Sequence, residues 1–177
     1  LTGLRIALVA TFLVLLVKPV ILLTMNEPVR ERLLVLLDTS QSMEIKDQRT
    51  SNDDLNRAAL AAGLIAPTIK ISGDPPRDLD RWRNASRSDL LKALAGNDKL
   101  NLWPRLQEKA DLDFYGFGRD AKKLDPIGTE AGSPISTSDA DSFFRELKFT
   151  GDVTALGDSL RQMLDDNRGQ PVAGVLL

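Results

Sequence analysis

The strongest hydrophobic pattern in the chain is a run of five aliphatic residues at positions 33–37, followed at once by the polar string D-T-S-Q-S at positions 38–42. Because successive residues of a strand point to opposite faces, an unbroken aliphatic run predicts a strand buried on both faces, as in the middle of a parallel sheet. The polar string then falls in the loop at the carboxyl end of that strand. Open α/β sheets bind their ligands there.

Helical periodicity follows the polar string. A first helix is predicted to begin at Ser51 or Asn52, to bury one apolar face and to end at Pro67. Ser88 is the predicted cap of a second helix, and residues 103–109 form a further helical piece.

Two further strands are predicted at residues 112–117 and 172–177. Between them, residues 122–137 have no periodicity and are predicted to form an extended loop, whereas Asp139 and Asp141 are interpreted as charges at the start of a short helix. The order of elements predicts an α/β fold with a doubly wound, mainly parallel, Rossmann-like sheet and right-handed crossovers.

The amino-terminal pattern is different. Residues 4–23 are mostly apolar and contain only two charged residues, Arg5 and Lys18. Their length matches the hydrocarbon core of a bilayer, so they predict one transmembrane helix. A buried helix of a soluble protein is the alternative, whereas a signal peptide is disfavoured because no small-residue cleavage site follows. The basic residues on the two sides do not decide the orientation.

The chemistry of the polar string can be stated from its residue types. A carboxylate and two hydroxyls at alternating positions offer hard oxygen ligands, which suit Mg²⁺, Mn²⁺ or Ca²⁺. Mg²⁺ prefers six oxygens, so other loops, waters or a ligand must complete its shell. The alternative interpretation is an Asp-Ser turn that caps a helix after a strand.

Composition excludes several other kinds of site. The chain has no histidine and no cysteine, which excludes a Ser-His-Asp triad, a Cys-His pair and a zinc site with the usual ligands. Neither a phosphate-binding G-x-x-x-x-G-K-[ST] loop nor a G-x-G-x-x-G motif after a strand is present. The net charge of −2, with acids and bases interspersed, gives no reason to expect nucleic acid.

A second segment, T-G-D-V-T-A-L-G-D-S-L at positions 150–160, places Thr154 just ahead of an apolar helical turn. Together with the D-x-S-x-S string, it resembles the von Willebrand factor A (VWA) domain and its metal-ion-dependent adhesion site. The resemblance implies four metal ligands in this chain: Asp38, Ser40, Ser42 and Thr154. Thr150 is the second candidate for the threonine.

In the VWA family a third loop, after an apolar strand, supplies an aspartate to the metal. The strand predicted at residues 172–177 is the last in this sequence. We therefore expect the chain to be a fragment whose parent continues with an aspartate within about five residues.

More narrowly, the same motifs resemble large bacterial membrane proteins that pair a VWA domain with a glutamine-amidotransferase-like domain. The implied organisation is a transmembrane helix at 1–25, a linker at 26–31 and a VWA-like domain at 32–177, in the bacterial inner membrane. The implied function is binding, not catalysis. A divalent cation, with Mg²⁺ expected, takes one ligand from the carboxylate of a protein partner.

Two alternatives remain open at this stage. One is a structural scaffold of a membrane complex in which the metal loop is vestigial. The other is a hydrolase that uses the metal as a Lewis acid, although the sequence offers no evident general base beyond scattered carboxylates.

Overall fold

The computed structural model describes residues 2–17, 30–67, 73–124 and 134–177. The described part of the chain is an α/β structure of helices around a four-stranded, mostly parallel sheet. In chain order the elements are α1 (Thr2–Val17), β1 (Arg32–Asp38), a 3₁₀ helix (Gln41–Glu44), α2 (Asn52–Ala61), α3 (Asp80–Arg83), α4 (Arg87–Ala95), α5 (Leu102–Gln107), β2 (Asp111–Phe117), β3 (Ala121–Leu124), α6 (Thr137–Glu146), α7 (Leu156–Asp166) and β4 (Val172–Leu176).

The sheet has the strand order β3-β2-β1-β4, so the predicted aliphatic strand is an interior strand. β1 runs parallel to both neighbours, with Val35 opposite Phe114 of β2 and Leu176 of β4. β3 is an antiparallel edge strand beside β2. Since three neighbouring strands run in parallel, their carboxyl ends share one edge, and Asp38 lies at that edge.

The strand alternation divides the core between the two faces of the sheet. On one face, Val35 and Leu37 pack with the helices α4, α5 and α6 in an aromatic-rich cluster. Its centre is Trp103, whose ring stacks on Phe144 at a centroid distance of 5.1 Å. On the other face, the intervening β1 residues pack against Met163 of α7. Helices therefore cover both faces, which explains why the whole run in β1 is apolar.

Two predicted boundaries were wrong, namely the start of the loop at residue 122 and the end of the first helix at Pro67. β3 falls partly inside the predicted loop at 122–137, of which residues 125–133 lie outside the described part. Hydrogen bonding to β2 makes these residues a strand although their sequence has no strand periodicity. The first helix ends at Ala61, well before Pro67, and Gly63 follows with a positive φ of 72° that terminates the helical path.

A third correction concerns the cap of α4. Its N-cap is Ser86 and not Ser88, because Asp89 lies three residues after Ser86 and completes a reciprocal capping box. The interpretation of Asp139 as a helix-start charge is confirmed, since it completes the same kind of box in α6. Asp141 lies one turn before Arg145 and pairs with it at 2.7 Å.

The described part of the predicted membrane segment is α1, which has 16 residues. Its described side chains, at positions 2–12, are all exposed, and they include several large apolar ones. Across the described ranges, no helix combines the length and the apolar character needed to cross a bilayer. Residues 18–23 of the predicted span lie outside the described residues, so the span stays a prediction.

Candidate metal centre

Asp38 is the last residue of β1, and the loop that follows it is anchored to the end of β2. The backbone N–H of Thr39 and its hydroxyl both donate to the carbonyl of Phe117, each at 2.8 Å. Ser40 then turns into the core and is only 2% exposed. The loop is therefore held against the neighbouring strand before the 3₁₀ helix begins.

A second segment, which precedes α7, runs alongside this loop. Ser40 and Gly151 form an isolated parallel bridge, in which Gln41 donates to the carbonyl of Gly151 at 2.8 Å and Gly151 donates to that of Thr39 at 3.0 Å. Farther on, Ala155 donates to the carbonyl of Gly118 at 2.8 Å. These backbone bonds position the segment that carries Thr154.

The close approach of the two loops requires glycine at Gly151. A Cβ atom built there would lie 3.2 Å from the Cα of Ser40 and 3.4 Å from the Cα of Gly118. Both neighbours are backbone atoms, which cannot rotate away as a side chain can. Sequence reasoning missed this residue, and its only signal was the string T-G-D ahead of Val153.

The four oxygen-bearing side chains named from the sequence lie together at this edge of the sheet. The hydroxyl of Thr154 donates to Ser40 Oγ at 3.0 Å, although the two residues are 114 positions apart. Ser40 Oγ and Ser42 Oγ are 2.7 Å apart, and Ser42 Oγ approaches Asp38 Oδ2 at 3.5 Å. Asp38 Oδ1 also accepts the backbone N–H of Ser40 at 2.8 Å.

The hydroxyls form a chain that ends on the carboxylate. Each hydroxyl has one hydrogen, so if Thr154 donates to Ser40 and Ser42 donates to Asp38, then Ser40 donates to Ser42. Among the described residues, no lysine or arginine lies within ion-pair distance of Asp38. Within the described part of the chain, the partners of this carboxylate are the N–H of Ser40 and the hydroxyl of Ser42.

The polar side-chain atoms of this cluster are all oxygens, which are the ligands that hard divalent cations prefer. The cluster consists of one half-buried carboxylate and three hydroxyl oxygens, with no softer ligand among them. The described residues contain no group of three or more Asp, Glu, His or Cys side chains that could hold a metal. Any cation here would therefore depend on the hydroxyls.

The alternative interpretation of the string, as a helix cap, has partial support. Ser40 stands at the N-cap position of the 3₁₀ helix, but its side chain makes no capping hydrogen bond. Asp38 does form an Asx-type turn, because Oδ1 accepts the N–H of the residue two positions on. The turn fixes one carboxylate oxygen, while the hydroxyls point to one another.

Of the two candidate threonines, the structure brings Thr154 to the cluster. Thr150 is exposed, and its side chain makes no hydrogen bond with any described residue. Thr154 is exposed as well, so this ligand lies on the solvent side of the cluster. Ser40 closes the opposite side.

A basic residue that the sequence reasoning missed lies at the rim. Arg87, the first residue of α4, donates from Nε to Asp47 Oδ2 at 2.7 Å. This hydrogen bond raises the pKa of Arg87 above its usual range, and the negative charges of Asp47 and Asp38 raise it further. The same bond lowers the pKa of Asp47. The helix α4, which begins at Arg87, packs against the 3₁₀ helix that contains Ser42.

Comparison with known proteins does not assign a family. No protein-family model matches the chain, and no curated protein matches it.

Proposed function

We infer that this chain is a divalent-cation-dependent protein-binding module, with Mg²⁺ as the expected ion and Mn²⁺ or Ca²⁺ as alternatives. The observation that supports this most strongly is the contact between Thr154 and Ser40 at 3.0 Å, beside Ser42 and Asp38. Residues from two distant segments supply oxygens to one place at the carboxyl edge of a parallel sheet.

Each of the four residues has a defined role in this proposal. Asp38 gives the negative charge, directly or through a water molecule, while Ser40, Ser42 and Thr154 give neutral oxygens. A single carboxylate leaves a divalent cation with excess positive charge. Bound there, the cation would supply an attractive centre for a carboxylate of a protein partner. The absence of histidine and cysteine from the sequence favours binding over catalysis.

The arrangement of strands supports a VWA-type domain at residues 32–177. β4 lies parallel to β1 and ends at the same edge as Asp38, with Leu176 opposite Val35. Both strands therefore run toward the edge of the sheet at which the hydroxyl cluster lies.

Residues 4–23 are proposed to anchor the domain in a membrane, which we propose is the bacterial inner membrane. The exposed apolar side chains of α1, such as Leu4, Leu8 and Phe12, support a lipid-facing helix. The proposed parent also carries a glutamine-amidotransferase-like domain. Nothing in residues 1–177 offers a cysteine nucleophile for such a domain.

The test is a calorimetric titration of Mg²⁺, Mn²⁺ and Ca²⁺, each in turn, into the full chain in a mild non-ionic detergent. We expect saturable binding to the wild type and loss of binding in Asp38→Ala. The matched control is Asp89→Ala, since Asp89 also lies beside a pair of serines two positions apart but serves a helix cap. It should bind the ion as the wild type does. Circular dichroism establishes that each variant is folded.

The outcome separates the two alternative functions from the proposal. If the folded wild type binds none of the three ions, the proposal is wrong and the scaffold with a vestigial metal loop takes its place. If the ion binds and the loaded chain hydrolyses a phosphate or carboxylate ester, with the activity lost in Asp38→Ala, the hydrolase takes its place. Saturable binding without hydrolysis supports the binding module.

A further inference from the structure

The start of α4 is fixed beside the segment that follows the 3₁₀ helix. Lys46 and Ser86 form an isolated antiparallel bridge. The guanidinium of Arg49 donates to the carbonyls of Trp82 at 3.2 Å and Ala85 at 2.8 Å. The residues that introduce α4 are therefore bonded to the chain that leaves the proposed metal loop, and α4 itself packs against the 3₁₀ helix that contains Ser42.

Arg87 projects from this first turn with most of its hydrogen-bonding capacity unused. Its side chain is 51% exposed, and Nε donates to Asp47 at 2.7 Å. Neither Nη group makes a hydrogen bond with any residue that the structure describes. A guanidinium has five N–H donors in a planar fork, so the four N–H groups on the Nη atoms are available to a ligand.

The charges around Arg87 favour an anion in front of it. The Asp47 carboxylate neutralises Arg87 from one side and holds its plane by the Nε bond. A divalent cation at Asp38 adds a positive charge that one carboxylate does not cancel. A partner that brings a single carboxylate to the cation and to Arg87 would balance this remaining charge. Arginine is well suited to this role because its fork matches the two oxygens of a carboxylate.

We propose that Arg87 is the second anchor for the acidic group of the protein partner. One oxygen of an aspartate or glutamate side chain of the partner binds the metal held by Asp38, Ser40, Ser42 and Thr154, and the other oxygen accepts a hydrogen bond from an Nη group of Arg87. This inference rests on the proposed function, and it specifies the partner as a protein that presents a carboxylate in an orientation set by two points.

The experiment uses acetate as the probe, titrated into the full chain saturated with Mg²⁺ and followed by NMR chemical-shift changes. In Arg87→Gln, we expect the acetate affinity to fall about tenfold or more, because a charge-assisted hydrogen bond is lost. The Mg²⁺ affinity should stay the same or rise, since a nearby positive charge has been removed. Arg87→Lys keeps the charge without the fork and should give an intermediate acetate affinity.

Arg168→Gln is the matched control. Arg168 is also an exposed arginine paired with one aspartate, at 3.0 Å from Asp165, but it follows the carboxyl-terminal end of α7. It should leave the acetate affinity unchanged.

The outcomes separate this inference from the function on which it rests. Failure of the wild type to bind Mg²⁺ overturns the metal centre and, with it, the anchor. Binding of Mg²⁺ and acetate with equal acetate affinity in wild type and Arg87→Gln overturns the anchor alone. Absence of acetate binding to the Mg²⁺-loaded wild type also overturns the anchor, because both anchoring groups would then be present without their ligand.

Discussion

Two serines separated by one residue occur at the start of three helices among the described residues. One of these pairs has different hydrogen-bond partners from the other two. The pairs are Ser40 with Ser42, Ser86 with Ser88, and Ser136 with Ser138. Their Oγ atoms lie 2.7, 2.8 and 2.8 Å apart, so the local geometry of the pairs is nearly identical. The difference lies in the carboxylate that accompanies each pair.

In the α4 pair, the carboxylate comes three residues after the first serine. Ser86 Oγ accepts the backbone N–H of Asp89 at 3.1 Å, and Asp89 Oδ2 accepts the backbone N–H of Ser86 at 3.2 Å. These bonds satisfy donors that a helix leaves unpaired at its first turn. The polar atoms of this pair are occupied by the fold.

In the first pair, the carboxylate comes two residues before the serine, at the end of β1. Ser40 Oγ accepts no backbone N–H, and it contacts the hydroxyls of Ser42 and Thr154 instead. Hydroxyl hydrogens can rotate, so these oxygens can turn lone pairs toward a cation without breaking a backbone hydrogen bond. The comparison teaches that the position of the carboxylate, and not the serine pair itself, separates a candidate ligand set from a cap.

The largest effect should come from removing Ser40, the first serine of the first pair, and Ser86→Ala is the matched control. Ser40→Ala deletes the central oxygen of the cluster. We expect the Mg²⁺ affinity to fall about 100-fold or more, because the loss of even an outer-shell partner of a ligand costs up to about that much. Ser86→Ala should leave Mg²⁺ affinity unchanged and lower the free energy of unfolding by about 1 kcal/mol, the usual cost of a lost cap.

Calorimetry measures the two affinities, and urea denaturation measures the two stabilities. Equal Mg²⁺ affinities in Ser40→Ala and the wild type would show that the first pair is structural, like the other two. A fall in Mg²⁺ affinity in Ser86→Ala would show that the two pairs are coupled.

A smaller effect should come from separating the two loops that form the cluster. Gly151→Ala places a Cβ at 3.2 Å from the Cα of Ser40, so the backbone must shift. We expect the free energy of unfolding to fall by about 1–3 kcal/mol, as in other overpacked sites. Mg²⁺ affinity should fall with it, because Thr154 is carried by the displaced segment.

Gly157→Ala is the matched control for this substitution. Gly157 is in the first turn of α7, and apart from its own helix no described atom lies within 4 Å of a Cβ built there. Alanine has the higher helix propensity, so the free energy of unfolding should rise by about 0.5 kcal/mol. We expect urea denaturation to give changes of opposite sign for the two variants. A change of the same sign would show that the two loops accommodate a methyl group at position 151.

Much of this arrangement could be predicted from the sequence, for identifiable reasons. The aliphatic run of β1 specified an interior parallel strand, and so the edge at which Asp38 lies. Thr154 was named only through the resemblance to a family, since no local pattern relates it to Ser40. The close packing at Gly151 depends on the path of two loops in space, which a pattern along the chain does not encode.

The errors have equally specific causes. β3 is a four-residue edge strand with two lysines, and its pairing with β2 supplies most of what defines it. The prediction of Ser88 as the cap of α4 uses only its position ahead of the apolar residues of that helix. The capping-box rule selects Ser86, since Asp89 follows it by three positions. The cap of α4 can therefore be predicted from the local sequence, whereas β3 can be recognised only from its pairing with β2.

The smallest effect concerns the third pair, in the capping box of α6. The Ser136 hydroxyl donates to Asp139 Oδ2 at 2.6 Å, and the backbone N–H of Ser136 donates to the same atom at 3.1 Å. These two bonds hold the pKa of Asp139 below its ordinary value of 3.8. A depressed pKa in the folded state stabilises the fold above the unfolded-state pKa, and this contribution is lost as the pH falls through the lower folded-state value.

The stability difference between the wild type and Asp139→Asn should therefore be constant at neutral pH and shrink as the pH falls below 3.8, because asparagine resembles the protonated acid. NMR titration of the Asp139 carboxyl carbon measures the cause directly. In Ser136→Ala the hydroxyl donor is gone, so the pKa of Asp139 should move back toward 3.8. An unchanged pKa in that variant would mean that the backbone bond alone is responsible. The Ser136 hydroxyl would then not stabilise the charged form of Asp139, and its role in the capping box would be limited to accepting the backbone N–H of Asp139.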